Sequence, residues 1–168
     1  MYKFENKEQS SVSIPSKGMF SIHPGTYEWQ KYEDWLAEGG VTEPWKTEEE
    51  LLQDAKQLKQ NEILQSYKQA DDAPYTIGDL VYAGGFNSAM MLEKAESIAI
   101  RLNRENARTY DVNLIRRDVP VHSEIYPDIK DIVESLALRS EEYIFKLNNL
   151  LVAIAMATTI EEVNAIKW

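Results

Sequence analysis

Two histidines, His23 and His122, are the only side chains in this 168-residue chain whose ordinary pKa suits proton transfer near neutral pH. Neither has a second His or a Cys at metal-ligand spacing. The chain has no cysteine, which removes thiolate nucleophiles, thiolate metal sites and disulfides. Carboxylates are plentiful and come as doublets: Glu33-Asp34, Asp71-Asp72, Glu141-Glu142 and Glu161-Glu162. Neighbours on a helix point about 100° apart, so a doublet cannot close on one proton or one metal ion. These pairs read as solvated faces and helix caps. The glycine turn Tyr82-Ala83-Gly84-Gly85-Phe86-Asn87-Ser88 could offer free N–H groups to a phosphate at a helix start. It lacks both the G-x-G-x-x-G spacing and a P-loop lysine, and reads instead as a tight strand-to-helix connection needing a positive φ. Arg101, Arg104 and Arg108, at i, i+3 and i+7, would share a helix face, open to an acidic partner or to the chain's own carboxylates. No catalytic residue, metal site or cofactor is expected.

The charge balance narrows the partners. Against 28 Asp+Glu stand 18 Lys+Arg, a net charge of −10, which repels phosphate backbones and argues against nucleic acid. The longest apolar run, Leu150 to Ala157, falls far short of the ~20 residues of a membrane span, so no membrane insertion is expected. The N-terminus lacks the basic start and apolar run of a secretory signal. All six arginines lie beyond position 100, and residues 1–74 carry 8 Lys against 14 acids. That shift in composition, together with Asp71-Asp72-Ala73-Pro74, suggests a boundary there.

The elements that would position these side chains follow from periodicity. Residues 1–46 read as an extended N-terminal arm with a possible short strand at Ser11–Ile14 and one aromatic helix. In that helix Trp29, Tyr32 and Leu36 fall at i, i+3 and i+7, with Trp35 flanking and Gly39 closing the helix. Such a stripe serves equally as a docking face or as the core of a small unit. Residues 47–74 read as a linker helix, opened by a Thr47–Glu50 capping box and running to about Gln69. Its stripe Leu51, Ala55, Leu58 is thin, which fits a solvated linker or a weak coiled-coil stalk.

Residues 75–168 read as a small ββ-α-ββ-α-α domain. A hairpin turns at Gly78-Asp79, and a helix capped by Asn87 or Ser88 carries the apolar face Met91, Leu92, Ala95, Ile98, Ala99, Leu102 before ending within Asn103 to Ala107. A second hairpin pairs Tyr110–Arg116 with Val119–His122 around Arg117-Asp118. A long helix from about Pro127 to Ala157 has Ser140 as its weak link, and Thr158-Thr159 cap a last short helix. The fold class is therefore α+β, dominated by helix.

The segments TIGDLVYAGGFNSA, DVNLIRRDVPVHSEI and LNNLLVAIAMATTIEEVNAIKW resemble a C-terminal domain of unknown function found in bacteriophage tail proteins. Ile14-Pro15, Tyr32, Trp35-Leu36-Ala37-Glu38-Gly39 and Glu43-Pro44 are similar to the N-terminal stretch of tail fibre and fibre-assembly proteins. Tyr110 stands where that family is expected to have a tryptophan. The resemblance implies a small tail-fibre or baseplate-associated virion protein, present in the host cytoplasm during assembly and in the phage tail thereafter. It implies docking on other tail, baseplate or fibre proteins through Trp29, Tyr32, Trp35 and Leu36, and a homotrimer held by Leu51, Ala55 and Leu58. The alternative it allows is a tail fibre assembly chaperone that is absent from the mature virion. It supplies no catalytic residue.

Overall fold

The computed structural model describes residues 1–18, 21–122 and 129–168. The fold is α+β and helix-dominated, with three small antiparallel strand pairs and five α-helices among the described residues. It forms two compact units, Met1–Asp54 and Ala55–Trp168. The division falls inside the second helix, upstream of the composition shift at Asp71–Pro74.

Unit 1 is a small packed body rather than an extended arm. Strand β1 (Lys3–Phe4) pairs with β2 (Val12–Ser13), Phe4 opposite Val12. Two further segments complete the backbone hydrogen bonding: Val12 and Ile22 exchange N–H···O bonds of 3.1 and 2.8 Å, and the Phe4 amide donates to Glu43 at 2.9 Å. Helix α1 (Tyr27–Ala37) begins where the Thr26 hydroxyl accepts from the Trp29 amide at 3.1 Å. It ends at Gly39, with φ 91°, and at Gly40, whose backbone lies directly against the Trp35 ring.

Helix α2 (Glu48–Asp71) opens on the expected capping box: Glu50 N–H donates to the Thr47 hydroxyl at 3.1 Å, and Thr47 N–H to the Glu50 carboxylate at 2.8 Å. Its later turns are part of unit 2 and are not a bare linker. Ile63 is fully buried with Leu147 and Ile154, and Tyr67, Leu150, Leu151, Ile166 and Trp168 pack around them. The weak amphipathicity of α2 reflects how few of its residues enter this cluster.

The first hairpin, β3 (Tyr75–Ile77) and β4 (Leu80–Tyr82), turns at Gly78-Asp79 as expected, Ile77 opposite Leu80. Helix α3 (Phe86–Arg101) is capped by Gly85 rather than by Asn87 or Ser88, and no side chain caps it. The second hairpin is displaced from its expected place. It runs β5 (Asn106–Tyr110) and β6 (Arg116–Pro120), with its turn at 111–115 instead of Arg117-Asp118. The reason is Asp111, whose side chain nucleates that turn. Helix α4 (Ile129–Met156) has two packing regions: Ile129, Ile132 and Leu136 join Tyr82, Leu92, Ala99, Ala107 and Val119 in the main core, while Leu147 and Ile154 meet α2. The expected start at Pro127 lies outside the described residues. Ser140, between those regions, is buried and donates to the Asp71 carboxylate, so the apparent gap in the apolar pattern is a polar anchor. Helix α5 (Ile160–Ala165) carries the second capping box, Thr159 with Glu162.

Candidate functional site

The residues that could have done chemistry are dispersed. His23 and His122 are exposed and belong to different units. Glu33 accepts from the Trp29 indole at 2.9 Å, Asp71 from Ser140, and Glu162 from the amides of Thr158 and Thr159. Among the described residues no group of three or more His, Cys, Asp or Glu could hold a metal ion. Among them, too, no helix is long and apolar enough to cross a membrane.

The glycine turn is built against an acidic wall. Gly85, with φ 87°, lies near the Asp71 and Asp72 carboxylates, and Gly84 sits against the Asp71 and Ala73 carbonyls and the Arg139 guanidinium. Carboxylates beside a helix start repel a phosphate, so the turn serves packing. Arg101, Arg104 and Arg108 do not share a helix face: Arg101 ends α3, Arg104 lies in the following loop and Arg108 on β5. Helix formation stops at Arg101 because Asn103 takes a left-handed conformation, φ 51°.

The aromatic stripe packs into unit 1's own core. Tyr32 is buried with Val12 and Ile22, and its hydroxyl bonds Thr42 at 2.8 Å. Trp29 and Trp35 are half-buried beside it, their ring centroids 5.0 and 6.2 Å from that of Tyr32. Leu36 alone of the four stays on the surface, 39% exposed. On α2, Leu51 and Ala55 are half-buried and Leu58 is exposed.

Two surfaces of unit 2 went unread in the sequence. The first is the outer face of α4. Leu138, Phe145, Val152 and Met156 are each more than half exposed. The first three lie two positions before Ser140, Leu147 and Ile154, about 200° around the helix and so opposite the core.

The second is a groove of about 490 Å³ between α3 and the 111–115 turn. Leu92, Ala89 and Ala99 fill the core, but Met91, Ile98 and Leu102 remain exposed, which corrects the expected single apolar face of α3. Asp111 organises the opposite wall. Its buried carboxylate accepts from the amides of Asn113 at 3.0 Å and Ile115 at 2.9 Å and from Arg117 Nε at 3.1 Å. The turn so formed holds Leu114 at φ 60° with its side chain in the groove lining. An Asp side chain that accepts the backbone amide two residues on makes an Asx turn, and Asp111 is a residue type that could have located this turn in the sequence.

The Ile115 amide, with Arg117 and the Asn113 amide, holds the Asp111 carboxyl below the usual carboxylate range against the opposing pull of burial. A depressed folded-state pKa stabilises the fold above the ordinary value of about 3.9 and is lost as pH falls through the folded value. Asp111→Asn should therefore lower stability at pH 7, and the deficit should shrink towards pH 3. Urea unfolding at both pH values checks this; a deficit that does not change with pH would mean the carboxylate charge has no part in it.

Compared with protein-family models, curated protein sequences and solved structures, the chain matches none.

Proposed function

We propose that this protein is a non-enzymatic structural component of a tailed-phage virion, a small tail-fibre or baseplate-associated protein that works by docking to other proteins. The observation that carries the reading is the outward stripe of α4. Four large apolar side chains line the face opposite the core, a surface that stays in water unless another chain covers it. Sequence likeness supplies the biological setting. The Ala157–Val163 segment and Trp168, which carry the tail-protein resemblance, also have a defined structural role. Thr159 and Glu162 cap α5, and Trp168 packs edge-on between Tyr67 and Tyr143 at 6.0 and 5.9 Å. Leu36, within the N-terminal resemblance, is exposed where Tyr32 is buried, which supports a docking contribution of unit 1 through Leu36.

Mass spectrometry of purified particles should find the protein at a fixed ratio to the tail proteins. Its presence in lysate but absence from particles would replace this reading with that of an assembly chaperone. Light scattering on the free protein separates a monomer from the trimer expected of a fibre component.

A further inference from the structure

The groove between α3 and the Asp111 turn carries features that the folding of unit 2 does not require. Met91 is 72% and Leu114 79% exposed, yet both line it. Leu114 is held left-handed, a conformation that glycine or asparagine adopts more cheaply than leucine. Its side chain gains little burial in return. Tyr82 and Thr109 also line the groove, and their hydroxyls, buried behind it, have no hydrogen-bond partner among the described residues. They are neighbours: burial raises the Tyr82 pKa and the Thr109 hydroxyl partly offsets that rise, but their geometry falls short of a hydrogen bond. Unpartnered buried hydroxyls are uncommon because each forfeits its bonds to water. Three charged residues line the groove. Asp111 is paired with Arg117 at 3.0 Å, whereas Lys94 and Arg108 make no ion pair among the described residues.

We propose that this groove seats an apolar helical segment of a partner protein flanked by acidic side chains. Met91 and Ile98 stand two helical turns apart, about 10 Å, which matches an i, i+3/i+4, i+7 row on a partner helix. An open wall with two such exposed side chains suits a covering segment better than a small molecule, whose sites bury most of the ligand. Methionine adapts its shape to an incoming surface. Lys94 and Arg108 favour acids at the flanks. The groove lies wholly within unit 2, so a negative peptide result leaves the particle experiment untouched.

The test uses the full chain with labelled Met, Ile and Leu methyl groups. The probes are three synthetic helical peptides of about four turns, sharing one leucine row and flanked by Glu, Gln or Lys. The Glu peptide should shift the Met91, Ile98 and Leu114 methyl signals and bind about tenfold tighter than the Gln peptide, an advantage that salt reduces. Met91→Glu, at an exposed position that leaves the circular dichroism unchanged, should abolish binding. Lys94→Glu combined with Arg108→Glu should reverse the preference toward the Lys peptide. Leu114→Asn should raise the unfolding temperature while weakening binding. Equal binding of all three peptides, methyl shifts confined to other surfaces, or full binding by Met91→Glu would overturn the proposal, as would no binding of any peptide at millimolar concentration.

Discussion

Gly84→Ala is expected to lower the unfolding temperature of unit 2 by of the order of 10–20 °C. A methyl group at this position would lie 2.0 Å from the Ala73 carbonyl, 2.5 Å from the Arg139 guanidinium and 2.7 Å from the Asp71 carbonyl. Two of those neighbours are backbone and cannot rotate away. They are also the acceptors of Arg139, at 2.7 and 3.0 Å, so the clash pushes apart the bonds that tie α4 to the end of α2. Overpacking alone costs about 1–3 kcal/mol, and hydrogen bonds from a charged donor contribute about 1.5–3 kcal/mol. Together about 3 kcal/mol or more is at stake, at roughly 4–8 °C per kcal/mol for a unit near this size. Gly85→Ala is the matched control. Its nearest neighbour would be an Asp72 carboxylate oxygen at 3.1 Å, so the main effect is backbone strain: φ 87° with ψ 161° is a conformation essentially reserved for glycine and costs a side chain about 1–3 kcal/mol. Thermal unfolding of the two variants should rank them in that order. Equal midpoints would mean the connection does not sit against Ala73.

Tyr32→Ala should unfold unit 1 and leave unit 2 standing. Truncating a large buried aromatic costs about 3–5 kcal/mol, and a core built on this scale supplies little more than that. Three buried residues, Val12, Ile22 and Tyr32, form the centre of unit 1, and the rings of Tyr2, Trp29 and Trp35 pack tilted or edge-on against Tyr32. Near-ultraviolet circular dichroism from Trp29, Trp35 and Trp45 should collapse, and proteolysis should trim the chain back towards α2. Tyr32→Phe keeps the ring, loses only the Thr42 bond and should cost about 1 kcal/mol. The result bears on docking experiments as well. Alanine at Trp29 or Trp35 removes core as well as surface, so lost incorporation into particles would not separate contact from folding. Leu36→Glu, at an exposed position of α1, does separate them.

What could be read from the sequence divides along local and non-local lines. The Thr47–Glu50 box, a cap from the Thr158-Thr159 pair, the Gly78-Asp79 hairpin and the aromatic helix closed at Gly39 obey rules confined to a few residues, and these stand as expected. The pairing of Phe4 with Val12, and of Val12 with Ile22, joins very short strands across loops, and so little β pattern is visible only after the chain has closed. Ser140 looked like a break because its partner, Asp71, is remote in sequence. The α3 pattern showed how wide the apolar face is but not which flank the hairpin would cover. The contact between them is built on small residues, Ala89 and Ala99 of α3 and Ala107 of β5, which carry almost no periodic signal. The groove was therefore hidden between an apolar stripe taken for core and an Asx turn taken for strand.

The cluster around Ile63 also sets an order of events on the ribosome. Ile63 and Tyr67 emerge early, yet Leu147, Ile154 and Trp168 that cover them follow roughly eighty to one hundred residues later. At elongation rates of about 5–20 residues per second, the later turns of α2 wait uncovered for on the order of 5–20 s. During that interval the nascent helix offers its apolar side chains to any neighbouring chain. The main core, which draws on Tyr82 through Leu136, can assemble before it. Non-local closure of this kind is slow, so synonymous codon changes that alter pausing between α3 and α4 should change the soluble yield without changing a single side chain.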